Sequence, residues 1–142
     1  MMLLDTNVVS ALMAPSPEPS VTAWVDNRQT ESLFLAAVTI AEISFGIACL
    51  PDGRRREDLR ARFDRFIARG FALRVLPFDE AAAHQYGDLM AHRRRLGRPM
   101  SVLDGQIAAI ARVRQLGVAT RNVRDFDACG LEVVNPFDPD AS

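Results

Sequence analysis

Short apolar runs alternate with stretches of helical periodicity along the whole chain. Met2-Leu3-Leu4 is cut off by Asp5-Thr6-Asn7, which reads as a buried strand feeding a helix N-terminus, with Thr6 or Asn7 as cap. That helix runs to Met13 and is stopped by Pro15, Pro17 and Pro19; a second, from Ser20 to Arg28, places Val21, Trp24 and Val25 on one face. Leu33 to Val38 is a second buried strand, after which Thr39 opens a helix to about Leu50, closed by Pro51-Asp52-Gly53. From Arg54 to Phe71 the apolar positions Leu59, Phe63, Phe66 and Ile67 recur at helical spacing among arginines and acids, the pattern of an amphipathic arm. Leu73 to Phe78 reads as a third strand, and Asp79 caps a long helix to Leu96. Ser101 starts a helix through Gln115 with Gly117 as its C-terminal cap. Val118 to Thr120, a short helix from Asn122 to Ala128, and a strand from Leu131 to Val134 complete the pattern. Strands alternating with helices predict a single α/β domain over residues 1–142, with a mostly parallel sheet of about five strands and helices on both faces.

Composition narrows the class. A hydrophobic fraction of 49% and a charged fraction of 25% are ordinary for a globular protein, and no apolar stretch approaches the roughly 20 residues that span a bilayer. With no secretory-type leader either, the expectation is a cytoplasmic protein with no membrane role. Cys49 and Cys129 lack metal-type spacing and read as packing residues. The net charge of -1 provides no global attraction to nucleic acid. All 17 basic residues are arginine, most simply a trace of GC-rich codon usage, and they cluster at Arg54-Arg55-Arg56 and at Arg93-Arg94-Arg95 with Arg98. The second cluster either contacts phosphates or forms a solvated helix end that complements the helix dipole. His84 and His92, eight residues apart on the long helix, do not share a metal and read as surface or packing residues.

The chemistry lies in the acids. Thr39-x-x-Glu42, Ser101-x-x-Asp104 and Asn122-x-x-Asp125 each match the capping-box pattern at a predicted helix start, and for any one of them capping is a complete explanation. Asp5 has the same double reading, as a cap or as a functional acid. Yet helix starts that follow parallel strands line one sheet edge, where α/β proteins bind ligands. Asp5, Glu42, Asp104 and Asp125 can therefore converge. Two carboxylates about 5 Å apart repel by roughly 3 kcal/mol at an effective dielectric near 20, so such a cluster calls for a cation. Carboxylates without nearby His or Cys suit Mg²⁺ or Mn²⁺, and the matching reaction is phosphodiester hydrolysis by an activated water. No Ser/His/Asp or Cys/His set and no phosphate-binding glycine loop competes with this reading. A phosphoaspartyl nucleophile at Asp5 is set aside because Asn7 stands where such phosphatases carry a second acid.

Four segments carry a resemblance: Leu3-Leu4-Asp5-Thr6-Asn7, Thr39-Ile40-Ala41-Glu42-Ile43-Ser44-Phe45-Gly46, Leu103-Asp104-Gly105-Gln106-Ile107-Ala108-Ala109 and Ala119-Thr120-Arg121-Asn122-Val123-Arg124-Asp125-Phe126. In order and spacing they resemble the PIN-domain toxins of the VapC type. The FitB-like subgroup is nearest, since Leu76-Pro77-Phe78-Asp79-Glu80 and Asn135-Pro136-Phe137 also match it. The resemblance implies a PIN-like fold and a Mg²⁺- or Mn²⁺-dependent endoribonuclease, the toxin of a type II toxin-antitoxin pair. Its implied partners are RNA as substrate, a cognate antitoxin, a second copy in a homodimer, and DNA only through the antitoxin. By position Asp5, Glu42 and Asp104 match the family's metal ligands and Thr6 its adjacent hydroxyl. The fourth position is open between Asn122, Asp125 and neither. A surplus of apolar residues at Phe45, Ile47, Leu50, Phe63, Phe66 and Ile67 predicts a groove between the Thr39 helix and the Arg54 arm, to be filled by an antitoxin helix or a second copy. The alternative is a catalytically weak PIN-fold binding module in a DNA-bound regulatory complex.

Overall fold

In the computed structural model, which describes residues 1–142, the first apolar run is the centre of the molecule. It forms β1 (Met2–Leu4), leading into α1 (Thr6–Met13) and α2 (Pro19–Asp26). Then follow β2 (Leu33–Ala36), α3 (Ala37–Ala48), α4 (Arg54–Gly70), β3 (Val75–Leu76), α5 (Glu80–Arg95), α6 (Val102–Arg114), β4 (Gly117–Ala119) and β5 (Val133–Val134). The sheet has the order β3-β2-β1-β4-β5 and every pairing is parallel. Met2 lies opposite Leu33 on one side and Gly117 on the other, and Leu4 opposite Ala119.

Side chains alternate across the sheet, so β1 feeds two cores. Leu3 packs with Ala36, Leu76 and Val118 against Leu89 of α5 and Ile107, Ala108 and Ile110 of α6. Met2 and Leu4 face the other way, with Leu33 and Leu35, onto Val8 and Val9 of α1, Val21 and Trp24 of α2, Ile47 of α3 and Phe63 of α4. Helices therefore cover both faces, which is why β1 and β2 read as continuous apolar runs rather than alternating ones. No helix is long and apolar enough to cross a membrane.

Several boundaries differ from the sequence reading. β2 passes directly into α3 at Ala37 with Ala36 as an uncapped N-terminus, so Thr39 sits inside the first turn and forms no capping box with Glu42. Its side chain is fully buried and its Oγ1 has no partner. Asp5, not Thr6 or Asn7, caps α1 by accepting from the Thr6 amide at 2.8 Å. α6 closes through Gln115 in the left-handed region (φ 58°). Gly117 instead belongs to β4, where an added Cβ would lie 2.7 Å from Met2 Sδ and 3.0 Å from the Glu132 carbonyl. That glycine is required by close strand packing, not by helix termination. The helix expected from Asn122 to Ala128 is a single 3-10 turn over Val123–Phe126, with no side-chain cap at Asn122. Phe63, expected to help line an open groove, is 2% exposed and belongs to the core.

Candidate active site

The carboxyl ends of β1 and β4 lie side by side, and Asp5 and Thr120 are the first residues beyond the paired strands. The Asp5 amide donates to the Ala119 carbonyl at 2.9 Å, extending the ladder and holding Asp5 in register with its neighbour. Thr120 Oγ1 donates to Asp5 Oδ2 at 2.7 Å and Asn7 Nδ2 donates to the same oxygen at 3.0 Å, while Oδ1 accepts from the Thr6 amide. Thr120 Oγ1 also accepts from the Asn122 amide at 3.0 Å, and Asn7 Oδ1 accepts from the Arg121 amide at 3.1 Å. Asn7 and Thr120 thus lock the start of α1 to the end of β4 around one buried carboxylate. The sequence reading offered Asn7 only as a cap for α1 and gave Thr120 no role. The available signal was a hydroxyl ending an apolar strand, which gains meaning only once β4 is known to neighbour β1.

The other acids arrive from both layers. Glu42 projects from α3 and accepts from Thr6 Oγ1 at 2.7 Å. Asp104 lies in the first turn of α6, whose N-cap Ser101 accepts from the Asp104 amide at 3.1 Å, so this expected cap is formed. Gly105 lets α6 press against α5, since a Cβ there would stand 2.5 Å from Met90 Sδ and 3.0 Å from the Tyr86 ring. Asp125 follows on the 3-10 turn, its amide bonded to the Asn122 carbonyl.

Electrostatics show which acids meet. Burial is the main reason the Asp5 carboxyl is pushed above its usual range, with the Glu42 charge adding to the push and the Thr120, Thr6 and Asn7 hydrogen bonds opposing it. Asp104 is likewise raised, first by burial and then by the charges of Asp5, Asp125 and Glu42, against a lowering contribution from Ser101. The edge therefore brings Asp5, Glu42 and Asp104 within electrostatic reach of one another, and Asp125 within reach of Asp104. Asn122 is exposed and joins the frame through its backbone rather than its side chain.

A hard divalent cation suits this donor set, since it offers carboxylates only, with mutual repulsion that a cation would relieve. No three of the acids close around a single point. Mg²⁺ tolerates that arrangement, because it is commonly held by one or two carboxylates with water completing its shell. The hydroxyls of Thr6 and Thr120 both donate to carboxylates, so neither is poised as a nucleophile. Thr120→Val keeps the shape and removes that donor at a fully buried position. It is expected to cost about 1–3 kcal/mol, seen as a lower urea midpoint with an unchanged slope.

The rest of the long-helix basic cluster divides. Arg94 and Arg95 are exposed, whereas Arg93 is buried under the 3-10 turn and is not part of a solvated helix end. His84 is exposed and lies 3.7 Å from Glu80, and His92 is exposed; neither forms a hydrogen bond or ion pair with Asp5, Glu42, Asp104 or Asp125.

Comparison with known proteins places this geometry in context. The PIN-domain family model matches residues 2–130. VapC ribonuclease Y4jK of Sinorhizobium fredii is 42% identical over 98% of this chain and 99% of its own. Toxin FitB of Neisseria gonorrhoeae is 39% identical over 96% of this chain and 99% of its own. The solved structure of FitAB bound to an IR36 DNA fragment superposes with a TM-score of 0.90 at 39% identity, covering 96% of each chain.

Proposed function

The chain belongs to the PIN-domain family, among the VapC ribonucleases and FitB toxins, and from that premise we propose that it is a Mg²⁺- or Mn²⁺-dependent endoribonuclease acting as the toxin of a type II toxin-antitoxin pair in the cytoplasm. The observation that carries this reading is that two acids raised by burial, Asp5 and Asp104, feel each other's charge at the carboxyl edge of the central strand, with Glu42 bearing on both and Asp125 on Asp104. Asp5 and Asp104 would hold the ion, with Glu42 beside them acting through the ion's water shell, and when bound it would supply positive charge at the scissile phosphate and acidify water. The chain's own residues do the orienting. Thr120 and Asn7 aim Asp5, and Thr6 holds Glu42 through Oε2. Asp125, not Asn122, is the fourth acid of this reading, because its charge acts on Asp104. With the Thr6 and Thr120 hydroxyls committed to carboxylates and Ser101 engaged with Asp104 as its helix cap, attack on phosphorus falls to water.

The test is cleavage of a mixed RNA pool by purified, antitoxin-free protein with Mn²⁺ or Mg²⁺, beside an EDTA control. Cleavage that EDTA stops supports the reading. Silence, with folded protein and RNA bound, would favour the catalytically weak binding module.

The partner half of the proposal rests on a groove of about 630 Å³ between α1, α3 and α4, whose apolar lining includes Met13, Ile43, Ile47 and Leu59 and whose charged lining sets Arg54, Arg55 and Arg62 against Asp58 alone. An apolar antitoxin helix with acidic flanks matches that surface in both pattern and charge. Leu59→Arg is expected to weaken capture of the co-encoded antitoxin by at least about tenfold, since one buried charge without a partner costs more than 1.4 kcal/mol. Titration calorimetry reads this directly. A dimer that dissociates on the same substitution, with antitoxin binding intact, would assign the groove to a second copy instead.

A further inference from the structure

The buried Arg93 lacks a counter-ion. It is 4% exposed, and the five ion pairs of the structure leave it out. Nε donates to the Arg98 carbonyl at 2.7 Å, and Nη1 donates to the carbonyls of Asp125 at 2.9 Å and Asp127 at 2.8 Å and lies 3.7 Å from Cys129 Sγ. These bonds use three of the five guanidinium N–H groups. Nη2 makes none within the protein. Buried charges are normally paired, because the desolvation they suffer is otherwise uncompensated.

Arg93 borders a recess of about 390 Å³ together with Arg98, Pro99, Arg124 and Asp127, with no hydrophobic residue in its lining. Asp127 is paired with Arg98 at 3.2 Å, and Arg124 is exposed and unpaired. Three guanidinium groups against one carboxylate leave the recess net positive. It lies beside the acid edge, because the backbone Arg93 grips carries Asp125, whose charge acts on Asp104.

We propose that this recess is an anion subsite that takes a phosphodiester of the RNA strand next to the one being cut, with the free Nη2 of Arg93 and the guanidinium of Arg124 as its donors. The inference rests on the nuclease reading. Arginine forks match phosphate oxygens in pairs, so the bound phosphate supplies the counter-ion that Arg93 lacks. It also explains how an acid-lined edge on a chain of net charge -1 retains a polyanion.

The experiment measures binding rather than turnover. A short fluorescent single-stranded RNA is titrated into the Asp104→Asn protein in EDTA over a range of salt, with Arg124→Gln or Arg93→Lys added, and Arg69→Gln on the opposite layer as control. Arg124→Gln and Arg93→Lys are each expected to weaken binding about three- to tenfold near 0.1 M salt, and Arg124→Gln to flatten the salt slope by about 0.7, one phosphate contact on a single strand. Arg69→Gln is expected to change neither. If Arg93→Lys melts early, the exposed Arg124→Gln decides the outcome alone. Binding by Arg124→Gln that matches Arg69→Gln in affinity and slope overturns the subsite, and leaves a protein carboxylate as the recess's ligand. Loss of the nuclease reading would appear separately, as an unmodified protein that fails to cleave RNA with Mg²⁺ or Mn²⁺.

Discussion

Asp104→Asn is expected to lower RNA cleavage by about a thousandfold while the protein remains folded. The substitution is nearly isosteric, and the position is only half-buried at the first turn of α6. The helix cap is retained, because Ser101 accepts from the backbone amide of residue 104 and not from its side chain. What disappears is one negative charge among Asp5, Glu42 and Asp125. If that charge helps hold a divalent ion at the scissile phosphate, its loss removes several kcal/mol of charge stabilisation, and about 4 kcal/mol corresponds to about a thousandfold in rate. Single-turnover cleavage of one defined RNA at saturating protein is the measurement. A variant retaining a tenth or more of the parent rate would remove Asp104 from the reaction.

A divalent cation is expected to stabilise the protein, and the same asparagine substitution to abolish that effect. Without the cation, the carboxyls of Asp5 and Asp104 lie above the ordinary Asp value of 3.8, chiefly through burial. An acid raised in the folded state binds protons more tightly there than in the unfolded chain. Stability therefore falls as pH rises from 3.8 through the raised values, and the penalty is fully present above them. At neutral pH the parent in EDTA carries that penalty, and Asp104→Asn, lacking one of the charges, is expected to melt at a higher temperature than the parent. Adding Mg²⁺ at ten times its dissociation constant contributes about 1.4 kcal/mol to the parent, roughly 3–5 °C in Tm, and much less to the variant. Thermal melts of both proteins between pH 4 and 8, with EDTA or Mg²⁺, test both signs. A parent that gains stability steadily across that range in EDTA would show that these two carboxyls are not raised in the folded protein.

These two experiments depend on residues that were visible in the sequence for different reasons. Asp5 was conspicuous because a polar trio ends an apolar run, and the structure shows it acting as cap and clustered acid together. Asp104 was readable because the Ser101 cap is a local interaction within one turn. Glu42 was found through a capping box that does not exist. The pattern Thr39-x-x-Glu42 is real, but the helix begins earlier because β2 runs into it without a loop. Asn122-x-x-Asp125 failed in the same way, since a 3-10 turn leaves no helix dipole or cap to satisfy.

The order of strands and helices, the two-sided burial of the central strands and the delivery of acids to one edge were legible in the chain, because each depends on periodicity or on contacts within a few residues. The tertiary fold alone decided which acids meet and what supports them. Thr120 reaches Asp5 only because β4 pairs with β1 across 115 positions. Asn7 becomes a clamp only because Arg121 follows that strand. Arg93, indistinguishable in sequence from Arg94 and Arg95, is buried because its helix packs beneath the Asp125 turn. Such pairings are set by how the layers close on one another, where a rotation of 100° about a helix axis separates a solvated arginine from a buried one.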